Sequence, residues 1–188
     1  MNEEILKEAV RVLKEGGVIL YPTDTIWGIG CDATNEAAVE RVYKIKRRSE
    51  SKSLVLLACD LDMVARYIRE IPPMAIDLVE VNDAPMTIVY PGAEHLAPNV
   101  IAEDGSVGIR IPMNEFCRQM AFKLRHPIVS TSANISGEPS PKKFKDIPEE
   151  IKSAVDYIVS PKLEAESTGK ASQIIKLEVD GTVEIIRA

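Results

Sequence analysis

The sequence predicts an α/β fold built on a mixed sheet, and three observations carry that reading. Short apolar runs of strand length recur along the 188 residues, most of them separated by stretches with helical spacing. The last apolar runs follow one another too closely for crossover helices, so part of the sheet is antiparallel. With 45% hydrophobic and 28% charged residues, the chain can bury a core without disulfides and does not read as disordered. One domain over residues 1–188 is expected, with no repeat and no low-complexity linker.

Taken in order, Ile5, Leu6, Ala9, Val10 and Leu13 fall at helical spacing, and the pattern stops at Gly16-Gly17. VILYP (18–22) is a short apolar strand closed by proline. Asn35 can cap a helix through Val39, Val42 and Ile45 to about Arg47. SLVLLA (53–58) is a buried strand, followed by a helical stretch around Met63 to Ile68 and a helix opened by Pro72-Pro73. MTIVY (86–90), SVGIRI (106–111), a helix near Glu115–Leu124 and PIVSTS (127–132) come next. DYIVS (156–160), SQIIKLE (172–178) and TVEIIRA (182–188) complete the strands. The strands at 18–21, 53–58, 106–111 and 127–132 are expected in one sheet, with the polar motifs at their ends converging on one cleft.

Composition excludes several classes of function. A net charge of −6 argues against coating nucleic acid by bulk charge, while a local basic patch stays open. Cys31, Cys59 and Cys117 are odd in number and scattered, so they read as small buried hydrophobes of a reducing compartment. His95 and His126 are the only histidines, too few for a His-rich metal site, and metal ligands stay unassigned. The acidic start MNEEILKEAV is not a signal peptide, and no apolar run approaches ~18 residues, so a soluble cytoplasmic protein is expected.

Four stretches could carry chemistry. Residues 43–57, YKIKRRSESKSLVLL, hold Lys44, Lys46, Arg47, Arg48 and Lys52, opposed only by Glu50. They read either as a solvated helix end answering the helix dipole or as a polyphosphate site, where charge-assisted bonds offset phosphate desolvation. On a helix Lys44 and Arg48 share a face, and Lys46 and Arg47 point elsewhere. In YPTDTIWGIGCDA (21–33), Thr23, Asp24 and Thr25 follow a buried strand, as turn formers or as ligand contacts. The G-x-G-x-x-A pattern of 28–33 reads as tight-loop glycines, because the next helix starts too late to face a pyrophosphate. STSANISGEPSP (130–141) packs more hydroxyls and turn residues than an ordinary turn needs. Arg110 lies in an otherwise apolar strand, which calls for an anionic partner, either a ligand or an internal Asp or Glu. TGKAS (168–172) lacks the glycine and hydroxyl of a P-loop, and no Ser-His-Asp arrangement is evident.

Together these motifs resemble the YrdC-like threonylcarbamoyl-AMP synthase family. The opening is similar to Y-P-T-(D/E)-T-x-Y-G-L-G-x-D-A, KIKRRSESKSL to K-x-R…K-P-L, and APMTIVY to G-P-x-T-x-V. VGIRIP resembles V-x-x-R-x-P, STSANISGEPSP resembles S-A-N-x-S-G-x-x-(S/P), and ASQIIKL…VEIIR resembles S-T-(I/V)-(I/V)-D…I-x-R. The likeness covers roughly residues 5–187, with the motifs in the family's order. It implies a twisted open sheet with helices packed on it and a positively charged concave face. It also implies condensation of L-threonine, bicarbonate and ATP to threonylcarbamoyl-AMP and pyrophosphate, feeding a tRNA threonylcarbamoyl-transferase complex. By motif match, Lys46 and Arg48 are the catalytic cations. Arg48, Lys52, Ser106, Ser132, Asn134, Ser140 and Arg187 would bind ATP. Thr25, Arg110, Ser130 and Ser172 would bind threonine, with Arg110 on its carboxylate. Mg²⁺ is expected to ride on the phosphates, since no all-protein cage is evident.

The departures from the pattern are Trp27 for Tyr, Arg47 and Ala84 for Gly, Ser53 for Pro, Gln173 for Thr and Lys176 for Asp. The chain ends just after Arg187, so the additional C-terminal domain of longer members is not expected. An intact S-A-N favours a working synthase over the paralogues that lose it. Two other classes stay open: a non-catalytic RNA-binding paralogue holding tRNA or double-stranded RNA on the basic face, and a dinucleotide-binding protein built on GIGCDA.

Overall fold

Asn2 starts the chain's first helix, its side-chain oxygen accepting from the backbone N–H groups of Glu4 and Ile5 at 3.0 and 3.4 Å. The computed structural model describes residues 2–48 and 54–188. Helix α1 (Glu3–Lys14) buries Leu6, Ala9, Val10 and Leu13 and ends before Gly16, whose φ of 80° is the left-handed conformation of a helix stop. Strands β1 (Ile19–Pro22) and β2 (Trp27–Gly30) form an antiparallel hairpin with Tyr21 opposite Gly28. Helix α2 (Glu36–Lys46) is capped by Asn35, which accepts from Ala38 N at 3.0 Å, and leads towards β3 (Val55–Leu57). Then come α3 (Leu61–Tyr67), α4 (Pro73–Val81), β4 (Met86–Tyr90), β5 (Val107–Arg110) and α5 (Glu115–Leu124). The chain continues through β6 (Ile128–Val129), β7 (Thr131–Ser132), α6 (Glu149–Ala154), β8 (Tyr157–Ile158), β9 (Gln173–Leu177) and β10 (Val183–Arg187).

Both sheets are mixed, and the closely spaced last strands β9 and β10 pair antiparallel in one of them. A four-stranded sheet runs β7-β2-β1-β8 and a six-stranded one β10-β9-β4-β5-β3-β6. The expectation of one sheet is corrected here. β1 lies in the smaller sheet, while β3, β5 and β6 lie in the larger.

The run 127–132 is not one strand but two, and it joins the sheets. Ile128 and Val129 pair antiparallel with Leu57 and Leu56, and Ser130 N still donates to Val55 O at 2.8 Å. Two residues later Thr131 and Ser132 pair with Ile29 and Gly28 of the other sheet. Gly30 makes this crossing possible, because a Cβ there would stand 2.4 Å from Val129 O and 2.6 Å from the Tyr21 ring. Gly28 and Gly30 are therefore strand glycines that admit a crossing chain, neither a tight loop nor a pyrophosphate cradle.

The core is continuous between the sheets and the helices, with Tyr21, Trp27, Leu54, Leu56 and Tyr90 among its fully buried large side chains. Cys31, Cys59 and Cys117 are free and buried, as their scatter suggests. Among the described residues no helix is long and apolar enough to cross a membrane.

Candidate functional site

Most of the polar motifs sit where a strand ends, and the basic run sits where helix α2 ends. The β1–β2 turn delivers Thr25, the C-terminal end of β5 delivers Arg110, and the crossing segment delivers Ser130, Thr131 and Ser132. The start of β9 and the end of β10 bring Ser172 and Arg187, and Arg48 follows α2. These residues line one cavity of about 270 Å³ together with Ser140, Trp27 and a few apolar groups. Three arginines and six hydroxyl side chains face it, and none of its described lining residues is a carboxylate. Such a lining is built to receive anions. Burial pulls the pKa of Arg48 and Arg187 below the usual guanidinium range, so an incoming anion would relieve a desolvation cost already present.

Arg110 has the internal partner that its apolar strand left open. It is 3% exposed, and its Nη1 donates to Asp24 Oδ1 at 2.5 Å while Nη2 donates to Thr25 Oγ1 at 3.3 Å. Asp24, 5% exposed, spends its other oxygen on Met113 N at 2.9 Å. The fork is thus locked from behind, and its remaining N–H groups belong to a residue that lines the cavity. The Thr23 hydroxyl organises the turn, donating to Ile26 O at 2.7 Å and accepting from Thr25 N at 3.1 Å. Across this turn lies the segment before β9: Thr168 N donates to Asp24 O at 3.0 Å, Gly169 N to Thr25 O at 2.8 Å, and the Ser167 hydroxyl to Thr23 O. At its far end the Ser172 hydroxyl bonds that of Thr87 at 2.7 Å, and Ser172 O accepts from Arg187 Nε at 2.7 Å.

The structure places Lys46 differently from the expectation. The residue is 2% exposed and is not among the cavity's lining residues. Nζ donates to Ser132 O at 2.6 Å and to Asn134 O and Oδ1 at 3.0 Å each. Burial, with the Arg48 charge beside it, pushes its pKa down to about 8. Lys46 therefore ties the end of α2 to the S-A-N turn. Asn134 is likewise engaged inside the turn, accepting from the Ser132 hydroxyl at 2.5 Å and donating to Glu138 O at 2.6 Å. Ser106 lies at the opposite end of β5 from Arg110, its hydroxyl donating to Asp104 at 2.5 Å, and it does not line the cavity. Lys52 lies outside the described residues.

Arg47 explains how Arg48 reaches the cavity. It adopts φ 52°, ψ 41°, so the helix stops at Lys46 and the next residue leaves in a new direction. The helical face shared by Lys44 and Arg48 does not exist. Of the departures in the tail, Gln173 and Lys176 fall outside the lining, and Lys176 instead bonds Asp104 at 2.8 Å.

Sequence reasoning missed the supports. Trp27, which lines the cavity, donates from Nε1 to Glu164 Oε2 at 2.8 Å, and that oxygen also takes Phe144 N at 2.8 Å. Its ring packs on Phe144 at 5.0 Å. Glu164 carries no local sequence signal, whereas Asp24, between two threonines after a strand, did.

A family model named for Sua5, YciO and YrdC, and described as telomere recombination, matches residues 11–188. The threonylcarbamoyl-AMP synthase of Stenotrophomonas maltophilia is 33% identical over 162 residues, covering 85% of this chain and 87% of its own length. That of Hahella chejuensis is 33% identical over 175 residues, with 93% and 94% covered. The structure of P. abyssi Sua5 complexed with L-threonine superposes with a TM-score of 0.86 at 27% identity. It covers 94% of this chain and 52% of its own, so the chain spans about half the length of that protein.

Proposed function

The chain belongs to the Sua5/YciO/YrdC family, and from that premise we propose that it is a threonylcarbamoyl-AMP synthase acting as one domain in the cytoplasm. L-threonine and bicarbonate condense with loss of water to a carbamate, whose oxygen attacks the α-phosphorus of ATP. The bond to the β-phosphate oxygen breaks, and pyrophosphate leaves with the electron pair. The observation that supports this most directly is the cavity lining, which among the described residues holds three arginines and six hydroxyls and no carboxylate. In-line transfer between two anionic reactants needs positioning and cations, not a protein nucleophile.

In this reading Arg110, steadied by Asp24, takes the threonine carboxylate on its remaining N–H groups, with Thr25, Ser130 and Ser172 around the amino acid. Arg48 and Lys52 face the triphosphate, with Ser132, Ser140 and Arg187 beside the nucleotide. Lys46 and Asn134 act by holding the S-A-N turn in place, and Ser106, bonded to Asp104 at the far end of β5, is given no contact with the nucleotide. Mg²⁺ enters on the triphosphate as part of the substrate. Among the described residues the lining offers it no carboxylate, and no group of three His, Cys, Asp or Glu could hold it. The product is a mixed anhydride whose consumer is a tRNA threonylcarbamoyl-transferase complex.

Pyrophosphate release from ATP and bicarbonate tests the proposal. Release should depend on L-threonine and fall with L-serine or with no amino acid. Release that is indifferent to the amino acid would reject the assignment.

A further inference from the structure

The 14 residues 159–172 join Ile158, the end of β8 in the smaller sheet, to Gln173, the start of β9 in the larger one. Links of this length are uncommon in a compact domain and mostly serve function. Apart from a 3₁₀ turn at Pro161–Glu166 this one has no secondary structure, and it includes the TGKAS stretch that is no P-loop. No side chain from Ser160 to Ala171 is buried, and Leu163 packs half-buried on the core. Hydrogen bonds supply the rest of the hold. Ser167, Thr168 and Gly169 donate to the consecutive carbonyls of Thr23, Asp24 and Thr25, the two backbone bonds at 3.0 and 2.8 Å. Upstream, one oxygen of Glu164 accepts from Trp27 Nε1 and Phe144 N at 2.8 Å each. Downstream, Ala171 and Ser172 line the cavity.

We propose that residues 161–172 form a clasp that positions the amino-acid half of the cavity, and that Glu164 is the positioning residue that anchors it. The proposal rests on the reading above in which Thr25, Arg110 and Ser172 receive L-threonine. The clasp carries Ser172 itself and grips the backbone of Thr25 and of Asp24, whose carboxylate holds Arg110 at 2.5 Å. Displacing it therefore moves Ser172 and Thr25 directly and Arg110 through Asp24. Arg48 and Ser132 are carried by other segments, the end of α2 and the crossing strand β7. A segment fastened by hydrogen bonds near the surface opens locally at a lower free energy than the core does. Its anchor then decides how much of the time the threonine groups stand in register. Glu164 serves as an acceptor with two lone pairs on one oxygen, a role that an amide oxygen can also fill. Without it, Trp27 Nε1 and Phe144 N lose their shared partner, and the clasp loses its tie to β2.

The test joins hydrogen exchange to substrate kinetics on the full-length protein. Glu164→Ala should speed exchange of the Thr168 and Gly169 amides about tenfold, while the amides of β4 and β5 keep their wild-type rates. It should raise the KM for threonine on the order of tenfold, the worth of about one lost hydrogen bond, and the KM for ATP by less than about twofold. Glu164→Gln should return the threonine KM to within about threefold of the wild type, because its amide oxygen can take both donors. Ser167→Ala removes only the side-chain bond to Thr23 O and should give the same split between the substrates. Should Glu164→Ala fail to fold, Ser167→Ala carries the comparison. Equal rises in both KM values, or unchanged exchange at Thr168 and Gly169, would overturn the clasp. So would a folded Glu164→Gln that behaves as Glu164→Ala does. Wild-type pyrophosphate release that is indifferent to threonine would instead defeat the adenylation reading, and the substrate named here with it.

Discussion

Asp24→Asn isolates the contact on which the site's geometry depends. The substitution keeps the shape and removes the charge opposite Arg110, in a pair whose members are 5% and 3% exposed. Asp24 now satisfies two donors, Arg110 Nη1 at 2.5 Å and Met113 N at 2.9 Å. An asparagine has one oxygen for the two of them and must turn its NH₂ group towards the other. Stripping one partner from a buried pair costs about 3–5 kcal/mol, because the remaining charge stays desolvated. At roughly 2–4 °C per kcal/mol for a chain of this size, the melting temperature should fall by about 6–20 °C. Trp27, the chain's one tryptophan and part of the cavity wall, gives the readout by fluorescence in a urea or thermal ramp. L-threonine at saturating concentration should restore more of the loss in Asp24→Asn than it adds to the wild type, since its carboxylate offers Arg110 a replacement anion. A shift below about 2 °C would mean that Arg110 does not depend on Asp24. A variant that threonine does not preferentially rescue would reject Arg110 as the carboxylate receptor.

Arg47→Gly should raise stability by about 0.5–1 kcal/mol in urea unfolding, because it relieves the left-handed backbone at φ 52° and gives up only an exposed ion pair with Glu150. Lys46, with its pKa pushed from 10.5 down to about 8, is charged in both states below pH 8. Between about 8 and 10.5 the fold releases a proton that the unfolded chain keeps. Stability should therefore climb through that window, by at most about 3 kcal/mol, and Lys46→Met should lose this slope in a pH series of unfolding curves. Gly30→Ala should destabilise by several kcal/mol or prevent folding, whereas Gly105→Ala, where an added Cβ meets nothing within 4 Å, should be limited to the cost of its φ of 83°. Arg48→Ala should slow threonine-dependent pyrophosphate release about a hundredfold at limiting ATP while the fold survives, and Arg48→Lys should recover only part of it. Full activity in both would return the basic run to the status of a solvated helix end.

The local chemistry of the chain was written in its sequence, and the relations between distant segments were not. Asn35 as a cap, Gly16 as a stop and the period of α1 act over three or four residues, so the one-dimensional pattern contains all the physics that sets them. The gathering of hydroxyls and arginines at strand ends was equally legible, because charged and turn-forming residues beside apolar runs are a local contrast. Whether Arg110 answers a ligand or an internal carboxylate turned on Asp24, 86 positions away, and only the tertiary structure brought them within 2.5 Å. Lys46 read as one cation of a cluster. Its burial against the carbonyls of Ser132 and Asn134 depends on where the S-A-N turn packs, and that packing lowers its pKa and withdraws it from the cavity. The division into two sheets was hidden for the same reason. A run such as PIVSTS shows its apolarity in sequence, but hydrogen bonds choose partners in space, and the crossing exists only because Gly30 leaves room for Val129.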